Sequence, residues 1–299
     1  MDLVSVVGIA FILCAFCYAF LRKAPLSLTT ATAFLAVYAL LAVTSRDWGN
    51  PALSPGFRDM VLNHRGSWRA DELPAFFTAI FVHHDLLHLG FNTAALILIG
   101  MPLEERIGTP AFAVTFILGG IFGALTFYAL HFSDFFALLG ASAAISAELG
   151  AFARLYPRER MMLFLPIFPM PSVPVIWVAI GFLVISTAFV YMLPPGSVAH
   201  EAHIGGLITG FLIAPLVVKL PSKRKVTIKA LDLAALEKLA KTLELSEMLA
   251  KTKGESVPEV RNAWLEMFVK RARCPECDGP LRIRWGRIVS DCGWKLRYQ

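Results

Sequence analysis

Residues 138–150 read LLGASAAISAELG, a serine set between glycine and alanines inside a run apolar enough to cross a membrane. Hydroxyl and small side chains let helices pack closely in lipid, which is one reason for such a stretch. The other is that the hydroxyl of Ser142 does chemistry. Which reason holds depends on what the rest of the chain can bring beside it.

The chain has 299 residues, 57% of them hydrophobic, with a mean hydropathy of +0.63. That is more apolar surface than a soluble domain of this size can bury, so the sequence describes an all-α polytopic membrane protein. Seven apolar stretches approach the roughly 20 residues that span a bilayer: 3–21, 26–45, 84–101, 111–130, 135–153, 173–193 and 200–218. The first is read as a retained span and not a secretory signal, because Arg22 and Lys23 follow the apolar run.

Charge divides the chain. Residues 1–219 carry 11 Lys/Arg against 12 Asp/Glu, and residues 220–299 carry 17 against 10. The basic tail therefore reads as a separate soluble part. Basic residues favour the cytoplasmic side of a membrane, and they follow spans one, three, five and seven: Arg22 and Lys23; Arg106; Arg154, Arg158 and Arg160; Lys219 onward. This predicts a multi-pass protein of the cell membrane with its N-terminus outside and its tail in the cytoplasm.

Polar groups inside spans are costly and mark function. His84, His88 and Asn92 recur every four residues on one helical face, Ser142 precedes Ser146 by four, and His203 is followed by Gly206 and Gly210. Spans three, five and seven all run inward, and at about 1.5 Å per residue His88, Asn92, Ser142 and His203 share one depth. The small residues Gly140, Ala143, Ala144 and Ala147 would let span five approach Gly206 and Gly210 of span seven. Histidine is the usual base for a serine nucleophile. Asn92, His88 and the Ser142 amide are donors for the charge on an attacked carbonyl. No acid lies at the same depth, so the expected machinery is a Ser142–His203 dyad.

These residues resemble the motifs of the rhomboid intramembrane serine proteases. The resemblance covers 26–219 and rests on His83, His88 and Asn92 as H-x4-H-x3-N, on Gly140 with Ser142, and on Ala202, His203, Gly205 and Gly206 as A-H-x-G-G; LEERIG at 103–108 is also similar. It implies a rhomboid-like helical bundle that cleaves transmembrane segments of other proteins near the outer leaflet, without a cofactor for catalysis. By position, Ser142 is the nucleophile and His203 the base. His88 and Asn92 stabilise the oxyanion, while Gly140, His83 and Gly206 are supporting residues. Two departures are Ala143, where the family often has glycine, and the wide spacing of Trp68-Arg69 from His83. Two alternatives stay open: a catalytically inactive rhomboid-like protein binding membrane clients, and a zinc protease using His84 and His88 of HDLLH.

In the tail, residues 227–252 predict an amphipathic helix and 257–272 a second one. CPECDGPLRIRWGRIVSDCGW then resembles a zinc ribbon, a small β module, in which Val289 stands where a third cysteine belongs. Zinc on Cys274, Cys277 and Cys292, completed by Asp291, another oxygen or a partner chain, is one reading. A ribbon held by strand packing alone is the other. The expected division is 1–25, an added N-terminal span; 26–219, the six-span core; 220–272, a helical linker; and 273–299, the ribbon-like module. The expected partners are transmembrane protein substrates and the lipid bilayer; no nucleic acid is expected, because no aromatic stacking platform accompanies the charge. Cys14 and Cys17 are expected to be packing residues of the first span.

Overall fold

The apolar runs of the first two hundred residues fold as helices whose ends have identifiable causes. α1 (Leu3–Arg22) starts where the Asp2 carboxylate accepts the Val4 N–H at 2.6 Å and stops at Lys23, whose φ of +55° cannot continue a right-handed helix. α2 (Leu26–Ser45) has no capping side chain of its own. Its first amides are satisfied from a distance by Glu104, whose carboxylate accepts Leu26 N–H at 2.7 Å and Ser27 N–H at 2.8 Å. Glu104 belongs to α3 (Leu86–Ile107), which widens into a π-helical turn at Leu96–Gly100 just ahead of Pro102. α4 (Thr109–Leu130), α6 (Val175–Met192) and α7 (His200–Val217) follow.

The coordinates are a computed structural model that describes residues 2–47, 50–161, 164–165, 168–169, 172–192, 199–220, 236–254, 258–284 and 287–297. They form two compact units, Met1–Lys223 and Arg224–Gln299. Among the described residues six helices are long and apolar enough to cross a membrane.

The expected fifth span, 135–153, is not one helix. Phe135–Leu138 forms strand β2, antiparallel to β1 (Leu62–Arg65), with Leu62 opposite Leu138 and Arg65 opposite Phe135. A turn at Gly140 leads into α5 (Ser142–Leu155). High mean hydropathy concealed these changes, because an apolar run does not by itself distinguish strand from helix. At about 1.5 Å per residue the 14 residues of α5 reach only about 21 Å, short of a bilayer's roughly 30 Å core.

α5 is the core of its unit: every residue from Ala143 to Ala153 is buried. A methyl group on Gly206 of α7 would collide with the Ala143 carbonyl, and one on Gly210 with the Ala147 carbonyl, so the two backbones touch directly. Cys14 and Cys17 depart from expectation, since both are exposed on the outer face of α1.

In the second unit, residues 227–235 of the expected amphipathic helix lie outside the described residues. The remainder breaks at 240–242 before α8 (Leu243–Gly254), and α9 (Pro258–Arg271) follows close to its expected bounds. Strands β3 (Leu281–Arg284), β4 (Arg287–Ser290) and β5 (Lys295–Arg297) form an antiparallel sheet. Met248, Leu249, Phe268, Val269, Leu281 and Ile288 share one apolar core between helices and sheet.

Candidate active site

Three helices bring polar side chains to one place. Ser142 is the first residue of α5, reached through Gly140 at φ +103°. The Gly140 N–H donates to the Ala79 carbonyl at 2.9 Å, which fixes the turn. A Cβ at Gly140 would lie 2.7 Å from both Cε1 and Nε2 of His88, so glycine supplies the left-handed conformation and leaves room for that imidazole.

His203 sits in the first turn of α7, and its Nε2 is 2.7 Å from Ser142 Oγ. With the ring proton on Nδ1, Nε2 accepts the serine O–H. The close contact of α5 and α7 through Gly206 makes this distance possible. The imidazole packs against Phe182 of α6, with ring centroids 5.9 Å apart, and against His200 at 5.7 Å. Among the described residues no carboxylate hydrogen-bonds to His203. Glu148 is fully buried without a hydrogen-bond partner among the described residues, and Glu201 faces His131 at 3.4 Å.

Asn92 is buried, and its Nδ2 donates to the His88 carbonyl at 2.9 Å, which leaves a second N–H. Asp85 caps α3 by accepting the His88 backbone N–H at 2.8 Å. Phe91, Asn92, Ser142, Ile145, Phe182 and His203 are among the residues lining a cavity of about 200 Å³. Because α5 begins at Ser142, its first amides lack intrahelical acceptors, and its dipole presents partial positive charge there. An anion formed at Ser142 would meet both.

His83 packs its ring against Phe34 of α2 and His88, at centroid distances of 4.9 and 5.1 Å. His84 is exposed and pairs with Asp85 at 3.3 Å; among the described residues no third donor joins it and His88 in a metal-ligating cluster. The tail thiols of Cys274, Cys277 and Cys292 do converge, all within 4.8 Å of one another.

Sequence reasoning missed two features. His200 and Phe182 hold the His203 ring, and only the spacing of His200 three residues before His203 hinted at this. In the first loop, buried His64 approaches the Glu72 carboxylate through Nδ1 at 3.2 Å and donates from Nε2 to the Phe132 carbonyl at 2.7 Å. Tyr128 donates to the same carboxylate at 3.0 Å, tying that loop to α4. No local periodicity signals a contact between residues so far apart in sequence.

The Rhomboid domain family matches residues 67–220, just over half of the chain. The chain belongs to the rhomboid family. It is 32% identical to the yeast (Saccharomyces cerevisiae) "Rhomboid protein 1, mitochondrial" over 48% of this chain and 42% of that one. To "Rhomboid protease GluP" of Bacillus subtilis it is 30% identical over 53% of this chain and 28% of that protein. "Inactive RHOMBOID-like protein 8" of Arabidopsis thaliana is 32% identical over 34% of this chain and 30% of its own length. The chain thus spans less than half the length of the curated relatives it matches.

Proposed function

We propose that this multi-pass membrane protein is an intramembrane serine endopeptidase that cleaves transmembrane segments of other proteins. The observation that carries the reading is the 2.7 Å contact between Ser142 Oγ and His203 Nε2 at an apolar-walled cavity. In this mechanism His203 Nε2 takes the serine proton as Oγ attacks the scissile carbonyl. The oxyanion is received by the Ser142 amide, the free N–H of Asn92 and a ring N–H of His88, aided by the start of α5. His203 then gives its proton to the departing amine. Water, activated by the same imidazole, releases the acyl group. No metal enters any of these steps.

The orientation that fits this reading puts the N-terminus outside and the tail in the cytoplasm, so that water reaches Ser142 from the outer face. Residues 26–219 would be the protease core in the cell membrane.

The test is labelling of the purified chain in detergent or liposomes with a fluorophosphonate, alongside cleavage of a helix-destabilised transmembrane reporter. Ser142→Ala and His203→Ala are each expected to abolish labelling and to lower cleavage by about 10⁴-fold or more, with both activities of the parent insensitive to a chelator. Equal labelling in all three proteins would sink the dyad. Reporter binding without cleavage by the parent would favour a catalytically inactive, client-binding role; one relative is named as inactive.

A further inference from the structure

The second unit gathers its sulfur atoms without any help from disulfide bonds. Cys274 Sγ lies 3.6 Å from Cys292 Sγ, and all three sulfurs fall within 4.8 Å of one another. Tetrahedral zinc with bonds of about 2.3 Å to sulfur sets its ligand atoms about 3.8 Å apart. The 3.6 Å pair matches that spacing, and the 4.8 Å limit on the others keeps all three within reach of one ion.

Two turns present the thiols. After Cys277 the chain turns at Asp278, φ +55°, and after Cys292 at Gly293, φ +95°. In the first turn the Asp278 N–H returns to the Cys274 carbonyl at 3.0 Å, and in the second the Gly293 N–H returns to the Ser290 carbonyl at 3.1 Å.

The second turn spans one residue fewer than the first, and this changes which residue stands opposite Cys274. Sequence spacing put Val289 there. In the structure Ser290 opens the turn, as Cys274 opens the other: Ser290 N–H pairs with the Trp294 carbonyl at 3.0 Å, Cys274 N–H with the Gly279 carbonyl at 3.0 Å. The Ser290 side chain is buried, and its Oγ lies 3.3 Å from Cys277 Sγ, one of the three clustered sulfurs. Strand alternation explains the exchange, since Ser290 shares the face of buried Ile288 and Val289 the opposite one. Asp291, the oxygen suggested by the sequence, is exposed and turned towards Arg282 at 3.6 Å.

We propose that Cys274, Cys277 and Cys292 bind one zinc ion as thiolates and that the Ser290 hydroxyl completes the tetrahedron, directly or through one bound water. Binding releases the three thiol protons. The site tolerates the missing fourth cysteine because the turn supplies an oxygen at the vacated corner. It also explains a buried hydroxyl set beside a cluster of three sulfurs.

The test uses the full-length chain in detergent, purified under reducing conditions. Elemental analysis is expected to find one zinc per chain. Cobalt(II) exchanged into the site should show sulfur-to-metal charge transfer and the strong visible bands of a four-coordinate ion. Ser290→Ala should weaken zinc about ten-fold or more in competition with a chromophoric chelator. Ser290→Cys should tighten it and shift the cobalt bands to those of four sulfurs, while Asp291→Asn should change nothing. Absence of zinc and of cobalt charge transfer, or a disulfide in the chain under those conditions, would overturn the proposal. So would loss of metal with Asp291→Asn and not with Ser290→Ala. Ser290→Cys separates a ligand position from a merely structural hydroxyl, because only at a ligand position do the bands move.

Discussion

The two units assemble their sites by opposite means. Around Ser142 the close approach comes from what is missing: Gly206 and Gly210 have no side chains, so α7 lies directly on α5 and His203 reaches the serine. Around Cys274 the approach comes from what the backbone does, with two left-handed turns that direct side chains inward from strand ends. Helix packing places a pair of groups to a fraction of an ångström but depends on every contact along the interface. A turn depends on a few dihedral angles and tolerates change elsewhere.

That contrast can be broken most severely at Gly206. Gly206→Leu must push α7 off the Ala143 carbonyl, and overpacking of this kind costs about 1–3 kcal/mol or more. Fluorophosphonate labelling should fall to background and the detergent-phase melting temperature should drop, with zinc content unchanged. Retained labelling would mean that the helix contact does not set the serine–histidine distance.

The next effect is expected at Glu104. Its buried carboxylate accepts from Leu26 N–H, Ser27 N–H, Ser27 Oγ at 2.8 Å and Thr109 Oγ1 at 2.7 Å. Glu104→Gln replaces one acceptor oxygen by a donor facing donors, and should cost about 2–3 kcal/mol, measured as a shift in chemical unfolding of the full chain. A null result would show that water replaces the carboxylate at the start of α2.

A smaller expectation concerns independence. Removing metal from the tail with a chelator should leave labelling of Ser142 within about two-fold, the tolerance for sites that do not share partners, while proteolysis of the tail by added trypsin accelerates. A large loss of labelling on chelation would join two sites that the contrast keeps apart.

The smallest effect is a pH dependence at the loop after α4. Burial works against charge on His131, but hydrogen bonds to Asp134 at 2.8 Å and Glu201 at 3.4 Å outweigh it and raise its pKa above the ordinary 6.5. A raised folded-state pKa stabilises most below about 6.5 and loses that contribution as pH climbs through the folded value. His131→Gln should therefore lower stability at pH 6 relative to pH 8, by on the order of 0.3 kcal/mol given the solvent exposure of Asp134. Equal differences at both pH values would remove the charge from the explanation.

The sequence carried the helical class, the membrane class and the residues that resemble the family's motifs, because hydropathy and polar interruptions are local properties. The polar spacing that placed His88, Asn92, Ser142 and His203 at one depth also selected residues that the structure brings around one cavity or beside it. It failed at 135–153, where β2 and the turn at Gly140 interrupt a run whose mean hydropathy alone reads as one span. It failed again at Val289, where counting residues from a motif ignored a turn one residue shorter.

By itself, then, the sequence determined a chain that needs a bilayer, the approximate places of most of its spans, its family, and a basic tail bearing three cysteines. Only the tertiary structure decided that α5 begins at Ser142, that His203 Nε2 comes within 2.7 Å of its hydroxyl, that His64 and Tyr128 share Glu72, and that Ser290 lies beside Cys277. The physical reason is the same in each case. Periodicity and hydropathy report on the surface one element will bury, whereas close approach between elements is set by backbone turns and absent side chains far apart in the chain.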